Sequence, residues 1–186
     1  MVKTISDIQK IKEATLESFG NRIGNDDNRI YIMTCCGTGC TSSGAIKNRE
    51  KLNELMDRDG LHDRVHIVQT GCFGLCALGP IMIVYPEGAF YSMVKVEDVP
   101  EIVEEHLLKG RIVKRLLYQE TVVDDNTTKS LNETTFYAKQ MRIALRNCGV
   151  INPENIDEYI GTGGYEALGR ALTPVSYTHL TLPTIC

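Results

Sequence analysis

The sequence has little of several features that mark particular classes of protein. It contains no tryptophan, and aromatic residues make up only 6% of its 186 residues. It has no run of the roughly 20 apolar residues that a membrane helix needs, and no apolar leader segment at its N-terminus. Lysine and arginine (20) do not outnumber aspartate and glutamate (24), so the formal net charge is −4. Because nucleic-acid binding needs a concentrated basic face, we expect neither a nucleic-acid partner nor a membrane span.

Cysteine, by contrast, is abundant, with seven residues in the chain. Most of the cysteines fall into two tight clusters, at 35–40 and 72–76. The lack of a leader segment predicts a reducing, cytoplasmic location, where a framework of disulfides is disfavoured. Clustered cysteines in such a protein indicate metal or redox chemistry.

Hydrophobic periodicity predicts an α/β domain in the first two thirds of the chain. The predicted elements are a helix over 6–19 capped by Ser6 or Asp7, a strand over 29–34, a helix over 44–58, a strand over 65–70, a hairpin of 81–85 with 89–94, and a helix over 98–109. A mixed sheet with helices packed against it would satisfy the layer rules for such an order of elements.

The character of the sequence changes after Leu117. Residues 119–140 have little apolar periodicity and indicate a linker. We predict a strand over 141–149 and a mostly helical stretch over 155–172, a unit too small to hold a core of its own. Residues 175–186 resemble a translated sequencing adaptor, so we exclude them, with His179 and Cys186, from the fold.

Each cysteine cluster lies in a loop directly after a predicted strand. Cys35 and Cys40 have the spacing Cys-x4-Cys, and Cys72 and Cys76 have the spacing Cys-x3-Cys. If the two strands are neighbours in one sheet, four thiolates converge, which is enough for a 2Fe-2S cluster. Spacing alone also allows Cys36 in place of Cys35. Structural zinc likewise takes four thiolates, most often from Cys-x2-Cys pairs.

Both cysteine motifs resemble those of the thioredoxin-like 2Fe-2S ferredoxin domain. The resemblance rests on CCGTGCTSSGA at 35–45 and GCFGLCALGP at 71–80, and it covers roughly residues 29–117. It implies a 2Fe-2S cluster whose ligands are Cys35, Cys40, Cys72 and Cys76. Cys36 falls where that family tolerates other residues, and the resemblance therefore leaves it out of the ligand set.

A second resemblance concerns the last third of the chain. RNCGVINPENIDEYI at 146–160 and GGYEAL at 163–168 are similar to the opening of the NADH- and FMN-binding subunit of complex I and its relatives. A ferredoxin domain fused ahead of that opening is the arrangement of the diaphorase subunit of NAD(P)-linked, electron-bifurcating iron-only hydrogenases, and of related formate dehydrogenase subunits. The resemblance implies a truncated fragment whose partners are the other subunits of a hydrogenase or dehydrogenase complex.

The resemblance also implies which cofactors this piece holds. FMN, NAD(P) and 4Fe-4S clusters would belong to the remainder of the parent subunit, so the fragment alone is not expected to oxidise NADH. The predicted organisation is an N-terminal helix and loop (1–28), a thioredoxin-like ferredoxin domain with a mixed sheet and flanking helices (29–118), a linker (119–140), a truncated start of the NADH/FMN-binding module (141–174) and the adaptor artefact (175–186).

The predicted function is electron transfer through a 2Fe-2S cluster, as the N-terminal part of an NAD(P)H-linked oxidoreductase subunit. One alternative is a thioredoxin-like assembly or zinc-binding module without redox activity. Another is a small ferredoxin that acts alone.

Overall fold

The computed structural model describes residues 4–19, 29–121 and 131–172. The predicted adaptor segment at 175–186 and the middle of the predicted linker, 122–130, lie outside these residues. The helices are α1 (Ile5–Phe19), α2 (Thr38–Ser42), α3 (Ala45–Asp59), α4 (Val99–Glu101, which continues as a π-helical segment over Ile102–Leu108), α5 (Thr135–Ala138), α6 (Ile156–Gly161) and α7 (Glu166–Leu172). The strands are β1 (Ile30–Cys35), β2 (Val65–Thr70), β3 (Met82–Tyr85) and β4 (Ala89–Tyr91).

The four strands form one mixed sheet in the order β2-β1-β3-β4. β1 runs parallel to β2 and antiparallel to β3, and β3 pairs with β4 as an antiparallel hairpin. β1 lies inside the sheet, and all of its residues except Ile30 are buried. Its β-branched and aromatic side chains suit a strand covered on both faces. The predicted α/β class, a mixed sheet with flanking helices, is confirmed.

Alternation along β1 divides the core between the two faces of the sheet. Ile32 packs with Leu52 of α3 and Ile102 of the π-helical segment on one face. Met33 and Cys35 point to the other face, as alternate residues of a strand do. The core on that second face consists of buried side chains from the sheet, the two cysteine loops and the start of α3: Tyr31, Met33, Cys35, Cys40, Ala45, Val68, Phe73, Ile81, Ile83 and Phe90. The cysteine loops are therefore part of a packed core.

Most predicted elements are present, although β4 ends at Tyr91 and not at the predicted residue 94. Thr4 and Asp7 cap α1 reciprocally, since Thr4 N donates to Asp7 Oδ2 at 3.0 Å and Asp7 N donates to Thr4 Oγ1 at 3.3 Å. The prediction had named Ser6 or Asp7 as the cap. The predicted strand over 141–149 is wrong. That segment forms successive turns, in which Cys148 N donates to Leu145 O and Val150 N donates to Asn147 O, and it pairs with no strand of the described sheet.

The described residues pack as two compact units. One contains residues 19, 29–121 and 131–153, so residues 131–153 pack in the same unit as the sheet. The other combines residues 4–18 with residues 154–172. Within that second unit, Lys12 of α1 forms an ion pair with Glu166 of α7. None of the helices in the described ranges is long and apolar enough to cross a membrane.

Candidate metal centre

The parallel pairing of β1 and β2 brings the two cysteine loops to one edge of the sheet. Cys35 is the last residue of β1, and its register partner is Thr70, the last residue of β2. Cys36 N donates to Thr70 O at 3.0 Å, which ties the start of the first loop to the start of the second. Cys40 follows within α2, and Cys72 lies two residues beyond β2. Cys76 opens the short 3₁₀ turn Cys76–Leu78.

The four predicted ligand sulfurs are arranged as two pairs. Cys72 Sγ and Cys76 Sγ lie 3.6 Å apart, and Cys35 and Cys40 belong to the same buried core cluster. Electrostatic repulsion between the two pairs makes a smaller contribution to their raised pKa values, from Cys72 on Cys40 and from Cys35 on Cys76. Within the described ranges, no three His, Cys, Asp or Glu side chains are grouped as the ligands of one metal ion would be.

The two pairs differ in their exposure to solvent. Cys35 and Cys40 are each only 1% exposed, whereas Cys72 is half-buried and Cys76 is exposed. Burial raises the pKa of the Cys40 thiol to about 12, and the hydrogen bond and charge of Cys35 add to that effect. The hydrogen bond with Cys72 is the largest cause that raises the pKa of Cys76. Such crowded thiols lose their protons together only when a cation compensates their charge, as metal binding does.

Close approach of the loops depends on glycine at two positions. A Cβ on Gly37 would lie 2.9 Å from Cys72 Cβ, and a Cβ on Gly79 would lie 2.7 Å from Cys40 Sγ. Real Cβ atoms essentially never come that close to another heavy atom. Gly37 and Gly79 therefore let the two loops close around the sulfurs. Four thiols in two pairs, enclosed in this way, fit a cluster with two irons.

A backbone amide reaches one of these sulfurs, since Gly74 N donates to Cys72 Sγ at 3.2 Å. The Ile81 backbone lowers the pKa of Cys40 against the larger effect of burial. Hydrogen bonds of this kind stabilise sulfur that carries negative charge, and they are one of the factors that set the potential of an iron–sulfur cluster.

Cys36, which the spacing left as an alternative ligand, has other partners. Its Sγ contacts Thr34 O at 3.7 Å and accepts from Arg49 Nη1 at 3.5 Å. Arg49 Nη1 also donates to Gln69 Oε1. Burial raises the pKa of the Cys36 thiol, and the Arg49 guanidinium opposes that shift.

Residues after the predicted ferredoxin domain cover the second cysteine loop, and the sequence analysis missed them. The Tyr137 hydroxyl donates to the Phe73 carbonyl, and Gly149 N donates to Thr70 Oγ1 at 2.9 Å. Cys148 is half-buried, and its sulfur lies 3.7 Å from the Cβ that a side chain at Gly71 would add. The hint in the sequence was the aromatic pair Phe136-Tyr137 inside the predicted linker.

Comparison with known proteins places this arrangement in a family. A 2Fe-2S ferredoxin from Clostridium pasteurianum is 40% identical over 98 residues, which are 50% of this chain and 96% of that protein. The chain belongs to the 2Fe-2S ferredoxin family. A second 2Fe-2S ferredoxin, from Aquifex aeolicus, is 53% identical over 51 residues, or 46% of its length. No family model matches the chain.

Two further similarities extend the comparison. The crystal structure of the thioredoxin-like [2Fe-2S] ferredoxin from Aquifex aeolicus is 31% identical, with a TM-score of 0.47, and the match covers 50% of this chain and 99% of that one. The NADP-reducing hydrogenase subunit HndC of Solidesulfovibrio fructosivorans is 60% identical over 40 residues, which are 22% of this chain and 8% of that subunit.

Proposed function

We propose that this chain holds a 2Fe-2S cluster through Cys35, Cys40, Cys72 and Cys76 and serves as a one-electron carrier. The observation that carries the proposal is the meeting of two thiol pairs at one sheet edge, one of them with its sulfurs 3.6 Å apart. When bound, the cluster supplies the one-electron redox chemistry, and the protein supplies ligands, shielding and hydrogen bonds. Membership of the 2Fe-2S ferredoxin family supports the same cofactor.

The two cysteine pairs are buried unequally, so one side of the site is shielded from solvent and the other is open to it. The buried pair, Cys35 and Cys40, keeps water away from one side of the centre. Cys76 is exposed, so the loop over 71–78 is the surface through which we expect a redox partner to approach.

The test is anaerobic reconstitution with iron and sulfide, followed by metal analysis, visible absorption and EPR after dithionite reduction. We expect two irons per chain and a spin-half signal in the reduced state. Cys35→Ala, Cys40→Ala and Cys72→Ala should lose the cluster. Cys36→Ala is the matched control, because it removes the neighbouring thiol and should keep the cluster. Zinc in place of iron, or loss of the cluster in Cys36→Ala alone, would overturn the ligand assignment.

We further propose that the chain is the N-terminal part of a larger NAD(P)H-linked oxidoreductase subunit that works with other subunits of a hydrogenase or dehydrogenase complex. The supporting observations are the match to 40 residues of HndC and the resemblance of residues 146–168 to the opening of NADH- and FMN-binding subunits. The ferredoxin domain at 29–118, the linker at 119–140 and the module start at 141–174 are part of this proposal. The six described cysteines are free thiols, which suits the reducing cytoplasm.

This proposal is tested on the gene and on the protein. The reading frame beyond Pro174 in the source genome should continue into a glycine-rich flavin loop. The reconstituted chain should accept electrons from dithionite but not from NADH, while the chain extended by the downstream frame should accept them from both. Cluster reduction by NADH in the 1–174 chain would contradict the proposal that NADH oxidation requires the downstream part of the subunit.

A further inference from the structure

The hydroxyl of Tyr137 reaches into the second cysteine loop from outside the predicted ferredoxin domain. It donates a buried hydrogen bond to the carbonyl of Phe73, 64 residues earlier in the chain. Tyr137 and Phe73 are only 5% and 3% exposed. Phe73 is next to Cys72, so this bond acts on the backbone of the ligand loop itself.

The Phe73 carbonyl and the Gly74 amide belong to the same planar peptide group. While its carbonyl accepts from Tyr137, its amide donates to Cys72 Sγ at 3.2 Å. Gly74 has φ +81°, a conformation that glycine adopts at no steric cost but does not itself fix. The orientation of this peptide therefore depends on partners at its two ends, and Tyr137 is the partner at the carbonyl end.

Tyr137 is itself held in place by the segment that follows it. The Arg142 guanidinium lies 4.5 Å from the centre of the Tyr137 ring, and Arg142 Nη1 donates to the Cys148 carbonyl at 3.1 Å. Gly149 N then donates to Thr70 Oγ1 at the end of β2. Residues 137–149 are thus hydrogen-bonded to the second cysteine loop at Phe73 and to the end of β2 at Thr70.

We propose that Tyr137 is a positioning residue that raises the reduction potential of the cluster through the Phe73–Gly74 peptide. This inference rests on the proposed function, because it requires Cys72 to be a ligand. The hydrogen bond from the Tyr137 hydroxyl to the Phe73 carbonyl polarises the Phe73–Gly74 peptide. This polarisation strengthens the hydrogen bond from the Gly74 amide to Cys72 Sγ. The reduced cluster carries one more negative charge, so a stronger donor to its ligand stabilises the reduced state more than the oxidised state.

The test compares Tyr137→Phe with Tyr118→Phe in the reconstituted chain by EPR-monitored redox titration. Tyr118 is the matched control, since its hydroxyl donates to Glu120 at 2.9 Å and not to the cysteine loop. We expect Tyr137→Phe to reduce the equilibrium constant for one-electron reduction roughly two- to threefold, a potential lower by about 20–30 mV at 59 mV per tenfold. The g-values of the reduced cluster should shift as well. Tyr118→Phe should match the unsubstituted chain.

Hydrogen exchange of the Gly74 amide in the reduced, cluster-free protein gives a second measurement that does not depend on loading. We expect faster exchange in Tyr137→Phe than in Tyr118→Phe, because the peptide loses its carbonyl anchor. An unchanged exchange rate, or an unchanged potential and EPR spectrum in a loaded Tyr137→Phe, would overturn the positioning role and leave the proposed function intact. Failure of the unsubstituted chain to assemble a cluster would instead overturn the proposed function, and this inference with it.

Discussion

Tyr91 of β4 and His106 of the π-helical segment are joined by a buried hydrogen bond of 2.7 Å between Tyr91 Oη and His106 Nδ1. The Val113 amide donates to the same Tyr91 oxygen at 3.1 Å. Tyr91 Oη is therefore in hydrogen-bonding contact with both the His106 imidazole and the Val113 amide. These bonds connect the hairpin, the π-helical segment and the chain that follows it, and Tyr91 belongs to a different core cluster from Cys35 and Cys40.

Replacing Tyr91 by phenylalanine should destabilise the fold without affecting the cluster site. The change leaves His106 Nδ1 and the Val113 amide buried without their partner, which costs about 1–3 kcal/mol. Urea denaturation of the reduced, cluster-free protein measures the loss. Tyr159→Phe is the control, because Tyr159 is 45% exposed and its change should stay within about 0.5 kcal/mol. Equal stability of the two variants would contradict the importance of the buried bond.

Glu87 should contribute a small stability that depends on pH. Its Oε2 lies 3.5 Å from His106 Nε2, and the interaction with His106 holds the pKa of Glu87 below its ordinary range. A lowered folded-state pKa stabilises the fold above the ordinary glutamate value, about 4.3, and the contribution is lost as the pH falls below it. Because the Glu87 side chain is 43% exposed, we expect at most about 1 kcal/mol.

Stability measured from pH 7 to pH 3 for the unsubstituted chain and for Glu87→Gln checks this sign. The two curves should differ at pH 7 and converge at the acid end. Glu50→Gln, on the exposed face of α3, should follow the unsubstituted chain throughout. A gap that widens as the pH falls would show that the charge of Glu87 is unfavourable in the fold.

The strands of the sheet could largely be predicted because each is a short run rich in β-branched and aromatic residues. The bounds of β2 agree with the predicted 65–70, and β1 differs from the prediction by one residue at each end. The failure at 141–149 has a physical cause. Met141, Ile143 and Leu145 occupy alternate positions as in a strand, yet they are 87%, 71% and 62% exposed. A strand needs a partner for its backbone groups, and a local pattern does not say whether a sheet offers one.

The position of the cysteine loops at the ends of two strands could be predicted, but the contacts that surround them could not. Cys35 and Cys72 could be placed after strands because each follows a β-branched run. The bond from Tyr137 to the Phe73 carbonyl spans 64 residues and involves one hydroxyl, so it leaves no periodic signal. The asymmetry in burial between Cys40 and Cys76 likewise arises from packing between distant segments.

Asn48 offers a test of how α3 is fixed to the rest of the sheet domain. It is 2% exposed, and its Nδ2 donates to the Val94 carbonyl at 2.7 Å. In Asn48→Asp a buried carboxylate would face that carbonyl oxygen, so we expect a loss of at least about 2–3 kcal/mol at pH 7. The loss should shrink at acid pH, where the protonated carboxyl can again donate. Asn53→Asp, exposed on the same helix, is the matched control and should change little at either pH.

Gly79 tests whether the close approach of the loops is required for cluster binding. Its backbone, at φ −72° and ψ 156°, is open to any residue, so only space decides the effect of a side chain. Gly79→Ala would place Cβ 2.7 Å from Cys40 Sγ and push that sulfur out of its pair. We expect cluster content after reconstitution to fall to less than about half, with the sheet intact by circular dichroism. Gly71→Ala is the matched control, since its Cβ would meet only Cys148 Sγ at an ordinary 3.7 Å, and it should load normally. Equal loading of the two variants would mean that Cys40 does not need this position to bind iron.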